Sequence, residues 1–318
     1  MIDTISKFYS KLAEKQLIKR NAEKMSNFQK IMKNEDSIYP WNKALLDERL
    51  LLERGLIDNH WFDFQICMKR EFEENVNEFL RQKTFLKTIS GSPLPMIGKQ
   101  SRYYFRTIKW RYPKDELKRY LIDDYIGRPY ISSLQYKSTS LRMQHLYQVE
   151  LFRKLTCVNL FLVSSRIIEF GGGYGDLANL VFGNNSNNPT YIVIDLPILS
   201  KIQFLYLDSI YKGKVFLFSN SNETIKDNAI NIIPLNVIDA IDSNIGIFWA
   251  TYSLTETNFN VLDILRKKKF FGSDRYFVAY QSKNSMFENG PRIANELKSY
   301  LHLNDFSEGF ENGNYLYL

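Results

Sequence analysis

Glycine is unusually dense in one short stretch, residues 166–181, which reads RIIEFGGGYGDLANLV. The glycines stand at positions 171, 172, 173 and 175, directly after an apolar run that contains an acid, Glu169. Without a Cβ atom, backbone can take positive φ values and approach a ligand closely. RIIEF predicts a strand and DLANLV predicts the start of a helix, so the stretch predicts a ligand-binding loop at the carboxyl end of a strand.

The spacing of these glycines restricts the ligand. A dinucleotide loop follows Gly-x-Gly-x-x-Gly, and its third glycine lies where the helix packs on the strand. Asp176 holds that place here, and the spacing is instead Gly171-x-Gly173-x-Gly175, with Glu169 two residues before the first glycine. The spacing therefore argues against a dinucleotide. The competing interpretation is a structural glycine turn followed by a helix-capping aspartate.

A second acid follows the next predicted strand. YIVIDLP places Asp195 twenty residues after Gly175. A carboxylate at that strand end can accept hydrogen bonds from both hydroxyls of a ribose. A dinucleotide enzyme would carry the same acid, so the glycine spacing discriminates between the two classes and Asp195 does not.

The elements around these residues change in character along the chain. Residues 1–150 are predicted to be a mostly helical region, with a role as a substrate lid and in oligomer contacts. From about residue 160, apolar β-type runs alternate with helical stretches, which predicts βαβ units and a mostly parallel sheet. Residues 151–318 are therefore predicted to form an α/β domain. The predicted strands are RIIEF, TYIVID, KVFLFS, INIIPL, IGIFWAT and RYFVAYQ.

These motifs together resemble a known enzyme family. Acid-x-Gly-x-Gly-x-Gly resembles motif I of the S-adenosylmethionine methyltransferases, and EFGGGYGDLANLV with YIVIDLP resembles the bacterial sugar O-methyltransferases. IGRPY with the following SLR, and the later ATYSLTET, resemble two further segments of that family. The resemblance covers roughly residues 125–285 and implies a Rossmann-like class I methyltransferase sheet.

The resemblance assigns S-adenosylmethionine as the cofactor and names its contacts. Glu169 and the glycines at 171, 173 and 175 are expected to frame the cofactor, and Asp195 to hold its ribose. Leu196 is expected beside the adenine. The adenine edge is assigned to Leu235 and Asn236 in INIIPLNVID, with KVFLFSN as the competing segment.

Methyl transfer to a sugar hydroxyl requires a general base within hydrogen-bond reach. Glu256 in WATYSLTET, after the predicted strand IGIFWAT, is the first candidate, with Tyr252 and Ser253 beside it as substrate contacts. The alternative for Glu256 is a capping box with Ser253. His145, on the helix predicted before the glycine loop, is the second candidate base; its alternative is an ordinary half-buried histidine.

Residues 101–120 combine aromatic and basic side chains, among them Arg102 and Arg106. Such a segment can bind a nucleotide diphosphate, bind RNA, or form a solvated helix face with its aromatics turned inward. No metal site is predicted, because Asp123 and Asp124 lack any supporting ligand spacing. Cys67 and Cys157, far apart and without a CxxC pattern, predict two buried reduced thiols.

The composition is that of an ordinary globular protein: 318 residues, 44% hydrophobic, 24% charged, with a formal charge of +7. The sequence shows neither a signal-peptide pattern nor an apolar run long enough to span a membrane, which predicts a cytoplasmic protein without membrane insertion. The predicted function is methylation of a sugar hydroxyl, the sugar being nucleotide-activated or part of a surface polysaccharide. A homodimer is compatible with this prediction, and no nucleic-acid partner is expected. The alternatives are an O-methyltransferase of a non-sugar small molecule and an RNA-binding methyltransferase-like protein.

Overall fold

A computed structural model gives the fold of the chain over residues 11, 14–34, 39–90, 99–133, 135–242, 244–281, 289–309 and 313–318. The α-helices within these residues are α1 (Ala22–Met32), α2 (Trp41–Glu53), α3 (Asn59–Glu74), α4 (Lys83–Thr88), α5 (Lys99–Arg111), α6 (Lys114–Leu121), α7 (Ser140–Thr156), α8 (Asp176–Asn184), α9 (Pro197–Ile210), α10 (Phe259–Lys267) and α11 (Gly290–Leu301). Short 3₁₀ helices span Val76–Arg81, Leu235–Ala240, Ser253–Glu256 and Lys269–Gly272.

The strands lie in the second half of the chain. They are β1 (Ile167–Phe170), β2 (Tyr191–Asp195), β3 (Val215–Leu217), β4 (Ile230–Pro234), β5 (Ile247–Thr251), β6 (Arg275–Tyr280), β7 (Asn304–Ser307) and β8 (Asn314–Tyr317). Over the described ranges they form one sheet in the order β3-β4-β2-β1-β5-β6-β8-β7. The strands β1 to β6 pair in parallel, and β8 pairs antiparallel with β6 and β7. The predicted Rossmann-like fold class is confirmed.

The strand order places a crevice beside β1. The chain winds outward from β1 through β2 and then returns to the other side of β1 at β5. Ligands of open α/β sheets bind at such a reversal, outside the carboxyl ends of the strands. Glu169, near the end of β1, pairs in register with Val193 on β2 and Trp249 on β5.

Burial explains which strands were predictable. The strands β1, β2 and β4 are buried at every position, as expected for parallel strands covered by helices on both faces. All six strands predicted from the sequence are present. The β7–β8 hairpin was missed, because β7 reads NDFS and is mostly exposed at the edge of the sheet, so it lacks a hydrophobic pattern.

The N-terminal helices and the sheet share one hydrophobic core. Phe28 of α1, Trp41 of α2 and Phe72 of α3 belong to the same buried cluster as Leu199 and Tyr206 of α9. The described elements before residue 157 are helical, apart from one isolated bridge between Ser133 and Ser138. The described part of residues 1–150 is therefore mostly helical, while residues 1–10, 12–13, 35–38, 91–98 and 134 lie outside the described ranges and the domain boundary after residue 150 stays a prediction. The lid role of this region stays a prediction.

The two thiols differ from the sequence-based prediction. Cys157 is exposed, because it ends α7 in the left-handed conformation at the surface of the fold, and Cys67 is partly buried. The prediction of two buried thiols was wrong.

Candidate active site

A cavity of about 490 Å³ opens at the carboxyl ends of β1, β2 and β5, at the reversal of the sheet. A volume of this size suits a small-molecule ligand. Most of the residues singled out in the sequence meet on its wall. These are His145, Glu169, Gly171, Gly173, Asp195, Leu196, Leu235, Tyr252, Ser253 and Glu256.

The glycine loop joins β1 to α8, and its shape depends on glycine for internal reasons. Gly171 has a φ of +77°, and a Cβ atom at this position would lie 2.1 Å from the Cβ atom of Ser253. Gly175 has a φ of +99° and forms the N-cap of α8, facing Leu207 of α9. The loop therefore cannot accept side chains at these positions without moving its neighbours. Gly175 lies off the cavity wall and acts as a helix start.

Two buried acids flank the loop. Glu169 accepts a hydrogen bond from the Tyr191 hydroxyl at 2.9 Å, and burial raises the pKa of its carboxyl to about 8. Asp195 accepts from the Leu196 amide at 2.8 Å and from Gln203 Nε2 at 2.6 Å. Burial raises the pKa of Asp195 to about 7, although these hydrogen bonds oppose the rise.

Gln203 is a site residue that the sequence analysis missed. Its Nε2 donates to Asp195 and also to the Gly173 carbonyl oxygen at 2.9 Å, so it ties the end of β2 to the glycine loop. Gln203 lies two helical turns into α9, eight residues after Asp195. Its segment PILSKIQFLYL also contains Ser200 and Lys201, so its polar side chain gave no distinct sequence signal.

The expected adenine contacts divide into two groups. Leu196 and Leu235 line the cavity, whereas Asn236 is absent from its wall. The strand that ends before Leu235 is β4, which pairs directly with β2. The competing segment KVFLFSN contains β3, which lies at the far edge of the sheet beyond β4. The sheet order therefore favours Leu235 over the KVFLFSN segment as a cavity residue.

His145 reaches the cavity from α7. Its side chain is buried, and Nδ1 lies 2.7 Å from Oδ2 of Asp176, the first residue of α8. The alternative was an ordinary half-buried histidine, whereas this side chain is buried and paired with a carboxylate. Thr139 caps the N-terminus of this helix, since its side chain accepts from the Arg142 amide at 3.0 Å.

Glu256 reaches the same cavity from the 3₁₀ turn after β5. The capping box proposed as its alternative does not form, because the Ser253 hydroxyl donates to the Phe170 carbonyl oxygen and Asn258 caps the following helix. The Glu256 carboxylate has no hydrogen bond or ion pair within the described ranges. Burial raises its pKa to about 7. Tyr252 begins this turn with a φ of +67° and accepts from Gln144 Nε2 at 3.1 Å.

One wall of the cavity comes from the N-terminal helices and was not predicted residue by residue. His60, Trp61 and Phe64 of α3 line it, together with Ile89, which follows α4. Trp61 Nε1 donates to the Glu256 carbonyl oxygen at 3.2 Å, which links this wall to the 3₁₀ turn. The first 90 residues carried no recognised motif, so only the fold places them here.

The basic and aromatic segment 101–120 lies away from the cavity wall. Arg102 and Arg106 are exposed on α5, while Tyr104 and Ile108 on the same helix are buried. This arrangement matches the third alternative in its solvated basic face, but Tyr103 and Trp110 are exposed and not turned inward. The substrate contacts predicted for Arg102 and Arg106 stay untested predictions.

The two aspartates considered as metal ligands belong to a protein network. Asp124 pairs with Lys24 and accepts from Asn179 Nδ2 at 2.6 Å, and Asp123 accepts from the Tyr125 amide at 3.2 Å. Among the residues that the structure describes, no group of three or more His, Cys, Asp or Glu side chains could hold a metal ion. Within the same residues, every helix is too short or too polar to cross a bilayer.

No protein-family model matches the chain, and no curated protein matches it. Its structure is similar to several solved proteins at low identity. For the SAH-bound methyltransferase PaMTH1 of Podospora anserina, identity is 9%, with 70% of this chain and 87% of that chain covered and a TM-score of 0.39. For Aeropyrum pernix fibrillarin with bound S-adenosyl-L-methionine, identity is 12%, with 54% of this chain and 73% of that chain covered and a TM-score of 0.37. For the mitomycin 7-O-methyltransferase MmcR, identity is 12%, with 85% of this chain and 80% of that chain covered and a TM-score of 0.38.

Proposed function

We propose that the chain is an S-adenosylmethionine-dependent O-methyltransferase acting on a sugar hydroxyl. One observation carries the proposal. The glycine loop, the strand-end acid Asp195 and two candidate bases, His145 and Glu256, line a single cavity at the reversal of the sheet. A cofactor loop and a base on one wall are what methyl transfer to a hydroxyl requires.

The residues present fit this cofactor. The acids Glu169 and Asp195 and the glycine loop supply polar groups at the cavity floor, and Leu196 and Leu235 supply an apolar surface beside them. Asp195 holds the place where a carboxylate accepts from ribose hydroxyls, and the adenine is assigned to the surface of Leu196 and Leu235. S-adenosylmethionine, when bound, supplies a methyl group already activated on a sulfonium.

The chain must orient the acceptor, exclude water and remove one proton from the hydroxyl. His145 is the better candidate base, because Asp176 holds its Nδ1 and leaves Nε2 as the ring atom able to take a proton. Glu256 is the second candidate, since its pKa of about 7 keeps part of its carboxyl ionised at neutral pH. Tyr252 and Ser253 lie beside Glu256 on the wall and are assigned to the acceptor.

A sugar acceptor is supported by the GGGYG and IDLP motifs, which resemble the bacterial sugar O-methyltransferases. A nucleotide-activated sugar or a surface polysaccharide unit is the proposed form. A flat non-sugar acceptor is the second candidate, because Trp61, Phe64 and His60 give one wall of the cavity an aromatic surface.

The test is a screen of nucleotide sugars with S-adenosylmethionine, read by mass spectrometry for added methyl groups. A panel of phenolic acceptors under the same conditions tests the second candidate. Calorimetry with S-adenosylhomocysteine and with NAD tests the cofactor independently of any acceptor. Binding of S-adenosylhomocysteine and not of NAD is expected, and tight NAD binding without S-adenosylhomocysteine binding would reject the proposal.

Asp195 gives a sharper test of the cofactor assignment. If Asp195 holds the ribose, Asp195→Ala should weaken S-adenosylhomocysteine binding by about 1.5–3 kcal/mol, the cost of a lost charged hydrogen bond. The matched control is Asp208→Ala on the same helix α9, where the carboxylate accepts from the Gly213 amide and lies off the cavity. Equal dissociation constants for both variants and the unaltered chain would remove Asp195 from the site.

A further inference from the structure

The carboxylate of Asp176 has its two oxygens engaged by different partners. Oδ1 accepts from Arg142 Nε at 2.9 Å and from the Tyr174 hydroxyl at 3.2 Å. Oδ2 faces His145 Nδ1 at 2.7 Å. All four side chains are buried. Two donors on one oxygen fix the rotation of the carboxylate, so the other oxygen is held toward the imidazole.

The charge state of Asp176 decides which ring nitrogen of His145 carries the proton. The Arg142 guanidinium and the His145 hydrogen bond hold the pKa of Asp176 below its usual range, against the effect of burial. Asp176 is also the first residue of α8, where the helix dipole favours a negative charge. An ionised carboxylate only accepts hydrogen bonds, so Nδ1 must donate and Nε2 of the neutral ring is left as an acceptor.

We propose that Asp176, fixed by Arg142 and Tyr174, is a positioning residue that sets the tautomer of His145 for proton removal from the acceptor. This inference rests on the proposed function. It gives the segment from Gly173 to Asp176 two roles, because its glycines shape the cofactor loop while its tyrosine and aspartate support the base. The cofactor loop and the base are thereby parts of one rigid unit.

Asp176→Asn is the informative substitution, because it keeps the shape and removes the charge. An amide nitrogen facing Nδ1 would make that atom the acceptor and place the ring proton on Nε2. The turnover number should fall by roughly 10²–10⁴, with S-adenosylhomocysteine affinity nearly unchanged. In this variant the ring proton should therefore lie on Nε2 instead of Nδ1, which the ¹⁵N signals of the ring can report. A fall in stability alone would not move that proton.

Glu150→Gln is the matched control. Glu150 is also a buried acid on α7, but it pairs with Arg153 and is not on the cavity wall. It should keep turnover within about threefold of the unaltered chain, since it lies outside the contacts that join Arg142, Asp176 and His145. Turnover within threefold for Asp176→Asn as well would overturn the proposal.

A measurement on the unaltered chain covers the case in which Asp176→Asn fails to fold. The chain has three histidines, so ¹⁵N ring signals are few, and His145→Gln assigns the relevant one by its loss. At alkaline pH, the His145 proton should lie on Nδ1; a proton on Nε2 would overturn the proposal. This result needs no acceptor. If the tautomer is as expected but neither S-adenosylhomocysteine binding nor methyl transfer is found, the proposed function fails and the positioning contact stands.

Discussion

His145 and Glu256 line the same cavity, but the protein treats the two side chains in opposite ways. His145 contacts a carboxylate that two further donors hold in place, within a buried network between α7 and α8. The Glu256 carboxylate lacks a hydrogen-bonding side chain within the part of the chain that the structure describes, and only burial shifts its pKa. One group is oriented by its neighbours, and the other is only removed from water.

The elements that carry the two groups account for this difference. The helix α7 has 17 residues and is buried along most of its length, so its side chains meet fixed partners. The turn Ser253–Glu256 is four residues long and is held by its backbone and by Ser253. A fixed backbone with an unpaired carboxylate suits a group that meets its partner only when a ligand is bound. The difference therefore favours His145 as the base and leaves Glu256 as a contact to the acceptor.

The largest expected effect separates the two candidates directly. If His145 is the base, His145→Gln should cut turnover by roughly 10²–10⁴, the usual contribution of general base catalysis. Glu256→Gln should then raise the KM for the acceptor more than it lowers turnover. Both variants should retain S-adenosylhomocysteine binding, measured by calorimetry. The opposite pattern, with turnover lost only in Glu256→Gln, would reverse the assignment.

A second effect tests whether Ser253, in the turn that carries Glu256, restricts the glycine loop. Gly171→Ala should destabilise the fold by about 2–4 kcal/mol, because the new methyl group meets Ser253 in addition to the strain of a positive φ. Gly213→Ala is the control: its φ is +76°, and nothing lies within 4 Å of the added atom. It should lose only the conformational part, about 1–2 kcal/mol, in urea unfolding. Equal losses would mean that Ser253 does not restrict the loop.

The unpaired carboxylate also predicts a pH dependence of stability. The pKa of Glu256 is about 7 in the folded state and 4.5 in the unfolded chain. Between pH 4.5 and pH 7 the folded state therefore binds a proton more tightly than the unfolded state does. Glu256 therefore lowers the free energy of unfolding as pH rises from about 4.5 to 7. In Glu256→Gln, the fall in the free energy of unfolding over this pH range should be smaller by about 1–2 kcal/mol. This value is the pKa shift expressed as free energy, reduced because the side chain is partly exposed to solvent. Urea unfolding at pH 5 and pH 8 measures it, and an unchanged decline would contradict it.

The smallest expected effect concerns the backbone of the same turn. Trp61→Phe keeps an aromatic ring on the cavity wall but removes the hydrogen bond to the Glu256 carbonyl oxygen. The free energy of unfolding should fall by about 1 kcal/mol, the net worth of one such bond. Trp110→Phe, at a side chain that is 90% exposed on α5, is the control and should be neutral. A neutral Trp61→Phe would show that the turn does not need this contact.

The elements predicted correctly from the sequence are those whose hydrophobic pattern directly reflects their burial in the fold. Buried parallel strands read as apolar runs, so β1 to β6 were predicted, and the glycine loop and Asp195 were placed at strand ends because their positions follow from those runs. The edge strand β7 is polar and short, and its pairing with β8 is stabilised by neighbours in space that no local pattern records.

The site was predicted less completely for the same reason. His145 and Asp176 are 31 residues apart in sequence, and only the packing of α7 on α8 brings them together. The S-x-x-E spacing at Ser253 favoured a capping box, but the Ser253 hydroxyl is taken by the Phe170 carbonyl oxygen on the neighbouring strand. Gln203 and Trp61 carry no motif at all. Contacts across the fold, rather than propensity, decide the roles of these side chains.

The core that α1, α2 and α3 share with α9 has a consequence for how the chain can be divided. Phe28, Trp41 and Phe72 cover the outer face of the helix that starts at the Asp195 loop. A fragment beginning at residue 151 would expose that apolar face to water and lose the aromatic wall of the cavity. The α/β sheet and its helical cover therefore depend on one shared core, and neither part can be exchanged between proteins without redesign of the surface between them.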